Sequence, residues 1–503
     1  MHRHETDIDR IRRECRDFLR QHSLLTWYHR TQGSTKDTTG VYAEHEHLFT
    51  SETLAVVVAA MNASSEGPER RALEYLHAYL MQETIYAETP ELDDAIGNFL
   101  GNAVFLIDGQ EYDFQELSSL LGREPDPARR ADLSHAATPI LRDLQPRMIE
   151  KIRRHEELAR SFGLPGYIEL SERLRATSFA TLAEQARAFL DDTHAAMHRL
   201  LEWAVPRRLG IAVTGLRRPD LPALLRHPRA DAFFPREGIV AVMDRFLDQL
   251  GIDPGVVIID DEDRPKKNPR AACFPIDVPG DVRISIKPGG GLEDYTTWFH
   301  EMGHAMHFAH TATPVFEFQQ LGPSAVSEAF AFLFESVFES RYFLREEMGL
   351  SVEAVEETAR HGAFVKLYMV RRHCAKLLYE LDLFGGVMDP RDSYRRHLSR
   401  AYGIDLTAED AERFLLDMDD FFYCADYLRA WFLESQLERA LTSRFGERWY
   451  RTVEAGTFLK DLWSRGSRET AEEIAASIGD HGVTPHALVA RLTSAAAEGG
   501  IGE

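Results

Sequence analysis

Cysteine is scarce. The 503 residues contain four, Cys15, Cys273, Cys374 and Cys424, far apart and with no CxxC pair. Such spacing reads as free thiols in a reducing compartment, not as a disulfide framework. Long apolar runs are missing too, since no stretch approaches the roughly 18 consecutive apolar residues of a membrane-spanning helix. The N-terminus, "MHRHETDIDRIRRE", is charged and has no apolar signal core. A cytoplasmic protein without a membrane partner is the expectation. Basic charge is also in deficit: 58 Lys and Arg stand against 81 Asp and Glu, a formal net charge of −23. Phosphate binding needs a basic face, so nucleic acid is not an expected partner, and the acidity reads as solubility. The one glycine run, Pro288-Gly289-Gly290-Gly291, lacks the GxxxxGK[ST] pattern and reads as a turn, not a phosphate cradle.

What is present is mostly helical patterning. Apolar residues recur at helical spacing in "DIDRIRRECRDFLRQHSLL", "PERRALEYLHAYLMQETIYA", "PILRDLQPRMIEKIRRHEELARSFG" and "TLAEQARAFLDDTHAAMHRLLEWAVPRRLG". Strand signals cluster in "GVVIID" (255–260), "AACFPID" (271–277) and "DVRISIK" (281–287), bounded by Pro and Gly. The expected fold is therefore mainly α, with one small β-sheet next to a helix that begins after the glycine run. The length suggests more than one domain. Pro-rich "RRPDLPALLRHPRADAFFPREG" reads as a connector, dividing a helical N-terminal lobe, 1–215, from a second lobe, 216–503.

That helix carries "WFHEMGHAMHFAH", with the HExxH core His300-Glu301-Met302-Gly303-His304. Two histidines four apart share one helix face, about 6 Å apart, and can both reach one zinc ion. A catalytic zinc usually takes a third protein ligand and keeps a position for water. His310 has the spacing of a HExxHxxGxxH site, but that pattern's turn-making glycine is His307 here, and continuous helix points His310 elsewhere. His307 is on the correct face, yet three histidines along one helix cannot readily converge on one ion; a substrate or supporting role suits it better. A Glu at the shorter spacing of thermolysin-like sites is excluded by Gly322-Pro323-Ser324-Ala325. Glu328 remains, in "LGPSAVSEAFAFLFESVFES", where Ser324 is a possible N-cap and a carboxylate among Ala and Phe is costly unless paired or metal-bound. The third ligand is read as Glu328, and Glu335 as a surface carboxylate in preference to a supporting partner.

These residues resemble the thimet oligopeptidase and oligoendopeptidase F family of zinc metallopeptidases. The shared features are HExxHxxH over His300–His307, the Glu some 25 residues on, the run-up "RAACF…DYTTWFHEMGHAMH" and the block "FFYCADYLRAWFLESQL" (421–437). The resemblance covers 265–437. It implies two helical lobes flanking a deep substrate channel, one zinc ion per chain, and cleavage inside short unstructured peptides. The chain departs from the family's pattern in three places. "LLDMDD" (415–420) stands where many members have a histidine; Phe421-Phe422 replaces a Gly-Gly pair of the thimet branch; Ala430 falls where that branch has a further tyrosine.

The expected chemistry has zinc on His300, His304 and Glu328 lowering the pKa of its water and polarising the scissile carbonyl. Glu301, about 100° further round the helix, accepts the water proton and passes it to the leaving amine. Tyr427, with Tyr423 one turn before it, resembles the family's oxyanion donors. Cys424 has no adjacent base and is read as lying beside the channel, within reach of a bulky thiol reagent. The alternatives are a zinc carboxypeptidase of the related helical class and a zinc-containing peptide-binding module that does not cut. Retention of Glu301 argues against the latter.

Overall fold

Helix occupies 72 % of the described residues and strand 5 %, which makes the fold mainly α, as the patterning predicts. The computed structural model describes residues 7–34 and 37–497; the first six residues of the charged N-terminal stretch lie outside them. Among the described residues no helix is long and apolar enough to cross a membrane.

Two compact units form, each from three stretches of chain. One comprises Met1–Glu88, Arg229–Glu356 and Arg429–Thr484; the other comprises Thr89–Pro228, Glu357–Leu428 and Pro485–Glu503. The sequence reading placed one boundary, after residue 215, whereas the units interleave. Prolines mark where local helices stop and carry no information on which distant segments pack together. The Pro-rich connector itself folds into short helical pieces, among them Leu221–Leu225 and Pro228–Asp231.

In the first unit the opening helix, Asp7–Gln32, lays Trp27 on Phe274 and Ile276. Those two side chains alternate along a strand of a mixed three-stranded sheet, ordered β3-β5-β4. Its strands are β3 (Val257–Asp260), β4 (Ala272–Asp277) and β5 (Asp281–Ser285); β5 pairs parallel with β3 and antiparallel with β4. All three fall where the β-rich patches predict them. The chain then turns through the glycines, where the Asp294 carboxylate accepts the Gly289 and Gly290 N–H groups. It enters the HExxH helix, Leu292–Ala309. A second apolar helix, Ala325–Glu335, packs across it. The surrounding core is aromatic, with Phe246, Phe299, Phe334, Phe338 and Phe343 meeting edge to face.

The second unit holds a feature the strand reading missed. An antiparallel hairpin pairs β1 (Val104–Ile107) with β2 (Gln110–Asp113) through a two-residue loop, Asp108-Gly109, both at positive φ. Asp-Gly between alternating apolar residues is a strong short hairpin signal, and it stands in "VFLIDGQEYD". The stretch read as one helical run over 181–210 is two helices, Phe179–Asp192 and His194–Leu209. They separate at Thr193, whose hydroxyl bonds back to the Phe189 carbonyl. Fully buried Arg371 donates to Thr193 Oγ1 and to the carbonyls of Leu190, Arg400 and Ala401, satisfying helix-end acceptors that water cannot reach.

Candidate metal centre

The site is built by two helices that approach more closely than most side chains allow. Gly303 faces the second helix, and a Cβ added there would lie 2.6 Å from Ala331 Cα and 2.7 Å from Phe330 O. Its missing side chain lets Glu328, on the partner helix, reach His300 and His304. His300 Nε2 lies 3.4 Å and His304 Nε2 3.5 Å from Glu328 Oε2. All three ligand atoms fall within 4.8 Å of one another. A tetrahedral ion with bonds of about 2.1 Å has ligand-to-ligand edges of roughly 3.4 Å. The donor set therefore fits such an ion in spacing as well as in chemistry.

Both rings are oriented from behind. His300 Nδ1 is 3.1 Å from Glu335 Oε2, and His304 Nδ1 is 2.8 Å from Ser327 Oγ. With Nδ1 donating in each, both Nε2 lone pairs are left toward Glu328, the arrangement by which metal-binding histidines are commonly fixed in tautomer and angle. Glu335 is thus not the surface carboxylate of the sequence reading. It is one helical face with Glu328, seven residues on, and the second apolar helix carries both to His300. Ser327, next to the ligand in sequence, was not singled out at all. Phe332 closes the other side of His300 edge to face at 5.0 Å, and stacks in turn on Trp431.

The electrostatics point the same way. Burial opposes charge on the His300 ring, but Glu328 and Glu335 outweigh it and push its pKa up to about 10. Burial would likewise raise the Glu328 pKa, yet the neighbouring His304 and His300 hold it well below the usual carboxylate range. Two carboxylates thus concentrate negative charge around the His300 ring, charge that a divalent metal would neutralise in place of the ring's own proton.

Glu301 faces the sheet. Its Oε2 accepts the backbone N–H of Cys273 on β4 at 2.6 Å, which fixes the carboxylate on the sheet side of the helix that carries His300 and His304. His307 is 1 % exposed, packed against Phe308 and Phe330, and burial holds its pKa down at about 4. It is a neutral core histidine, out of reach of a bound peptide, because the HExxH helix turns that face into the protein. His310 ends the helix with Nδ1 on the Met306 carbonyl and its ring against Trp463. Ser324 occupies the expected N-cap position but makes no side-chain cap bond.

Tyr423 and Tyr427 belong to the second unit, at the start of the tyrosine helix, Cys424–Phe445. Their rings meet edge to face at 5.0 Å, and Tyr427 meets His373 in the same way at 5.2 Å. Both are half-buried while Cys424, Ala425 and Asp426 between them are fully buried. Cys424 therefore does not lie open beside a channel. Its thiol is held by Glu380, and burial with that carboxylate pushes its pKa well up. Glu380, Asp419 and Cys424 make another group of metal-ligand type, but the Lys376 ammonium sits 2.6 Å from Asp419 as the resident cation.

Comparison of the chain with protein-family models and with curated protein sequences yields no match.

Proposed function

We propose that the chain is a zinc-dependent oligoendopeptidase, a metallopeptidase hydrolysing internal bonds of short unstructured peptides. The observation that carries this reading is the convergence of His300 Nε2, His304 Nε2 and Glu328 Oε2, with each histidine nitrogen about one tetrahedral edge from the carboxylate oxygen. The resemblance of 265–437 to the thimet oligopeptidase and oligoendopeptidase F family supports it. So does the charged, cysteine-poor composition, which suits a cytoplasmic enzyme. Two helical lobes around a deep channel belong to the same proposal.

His300, His304 and Glu328 are the residues that would hold one zinc ion per chain. When bound, zinc supplies Lewis acidity, polarising the scissile carbonyl and lowering the pKa of water. Glu301 keeps Oε2 on the Cys273 N–H and uses Oε1 to take a proton from the attacking water. The same carboxylate then hands that proton to the departing amine. Tyr427, with Tyr423 beside it, donates its O–H to the oxygen that gains charge. His307 supports the helix from the core and is not assigned a substrate contact.

The test is mass spectrometry of products from a mixed peptide library of about 5 to 20 residues, the lengths a narrow channel admits. Internal cuts are expected with the zinc-loaded protein, and none with Glu301→Gln, which keeps the metal ligands. Removal of C-terminal residues alone would make it a carboxypeptidase. Zinc binding with no cleavage at all would leave only a peptide-binding module.

A further inference from the structure

The tyrosine helix is entered through an unusual turn. Phe421 and Phe422, immediately before Tyr423, both have left-handed backbones, with φ of 51° and 52°. That region suits glycine; each bulky residue there carries a strain of about 1–2 kcal/mol. The strain is held in place by the short helix Tyr167–Arg175, which grips the peptide groups on both sides of the Phe421 Cα. The Tyr167 hydroxyl accepts the Phe421 N–H at 2.7 Å, and Arg175 Nε donates to the Phe421 carbonyl at 2.9 Å. The rings add to the grip, Phe421 stacking on His155 and Phe422 packing on Phe179 and Phe384.

Arg175 does more than hold the turn. It is 8 % exposed, and its Nη1 donates to Asp426 Oδ2 at 2.9 Å. Its guanidinium lies over the Tyr423 ring, 5.0 Å from the centroid. One side chain thus touches the strained turn, the ring of Tyr423, and the residue directly before Tyr427. An ordinary helix start needs only a cap; this one is fixed at three points around two half-buried tyrosines.

We propose that Arg175 is a positioning residue for the proposed reaction, acting through Tyr423. It fixes the ring angle of Tyr423 and, through Asp426, the first turn that presents Tyr427. The inference rests on the reading of these tyrosines as oxyanion donors. Arg175→Lys keeps the charge but cannot make the three contacts together. It should lower kcat about 10²-fold with KM within about twofold, because small misplacements of a catalytic group cost that much. In a Tyr423→Phe/Tyr427→Phe background, which removes both hydroxyls, the same substitution should add no further loss. Multiplying losses would overturn the proposal and make Arg175 merely structural.

A second readout needs no activity. With 3-fluorotyrosine at position 423, the fluorine resonance should be one sharp line in the parent protein. In Arg175→Lys it should shift or split, and an unchanged line would refute positioning. If the parent cleaves no peptide, the oligopeptidase reading fails while the fluorine line still decides this one. Should Arg175→Lys not fold, Tyr167→Phe releases the Phe421 N–H, the other anchor of the same turn, and carries the same expectations.

Discussion

Gly303→Ala tests the closest contact in the candidate metal centre. Alanine favours a helix interior over glycine by about 1 kcal/mol, so propensity alone predicts a gain. Packing predicts the reverse. The new Cβ would stand 2.6 Å from Ala331 Cα and 2.7 Å from Phe330 O, both backbone atoms that cannot rotate away. Carbon atoms settle near 3.5–4.0 Å, so the two helices must part by roughly 1 Å. Overpacking of this kind costs about 1–3 kcal/mol, leaving a net loss of up to about 2 kcal/mol. The larger effect falls on the metal. Ligand bonds tolerate errors of only about 0.2 Å, and Glu328 rides on the displaced helix while His300 and His304 stay behind. Zinc affinity should fall about 100-fold, measured by chelator competition, and the zinc-dependent rise in Tm should shrink accordingly. A variant that binds zinc as tightly as the parent would show that Gly303 does not set the distance from Glu328 to the histidines.

Glu328→Ala should lose zinc and activity together, read by metal analysis of the purified protein; full occupancy would show that Glu328 is not a ligand. Glu335→Ala leaves every ligand in place but frees the His300 ring, and should weaken zinc about 10- to 100-fold by chelator competition. Tyr427→Phe should cost kcat on the order of 10²-fold with zinc content and Tm unchanged, whereas a normal kcat would return Tyr427 to a packing role. Burial, aided by the Lys151 charge, lowers the His155 pKa to about 4, so this ring is neutral in the folded chain and charges on unfolding below about pH 6.5. Its contribution to stability is complete above that pH and is lost as pH falls toward 4. Urea unfolding at pH 7 and pH 5 should show about 2 kcal/mol less loss in His155→Phe than in the parent.

What could be read in advance was whatever acts within a few residues. The HExxH spacing, the apolar company of Glu328 and the β-rich run-up are local patterns, and the structure places them as read. Glu335 was misjudged because its partner, His300, is far away in sequence. A carboxylate seven residues past Glu328 reads as an exposed face until the packing partner of that face is known. Gly303 occupies one of the two unspecified positions of HExxH, and nothing in sequence reveals how near another helix passes. Phe421 and Phe422 are an instructive case. Left-handed backbone is normally legible as glycine, but here distant anchors, Tyr167 and Arg175, impose it on residues that disfavour it. The β1–β2 hairpin was overlooked although its Asp-Gly turn was in plain sight; four-residue strands are too short for alternation to stand out.

The interleaving of the two units bears on how the chain is made. The polypeptide crosses from one unit to the other five times, at residues 88, 228, 356, 428 and 484. A ribosome releasing it from the N-terminus produces all three candidate metal ligands before the segment 429–484, which completes their unit, has been synthesised. Until then the apolar Ala325–Glu335 helix has no Trp431 to cover Phe332. Neither unit can finish its core early, and both depend on pairings between distant stretches of chain, which form slowly and leave apolar surface open meanwhile. A nascent chain stalled before residue 429 should therefore be sensitive to protease and bound by chaperones, and should gain protection only as the last segments emerge.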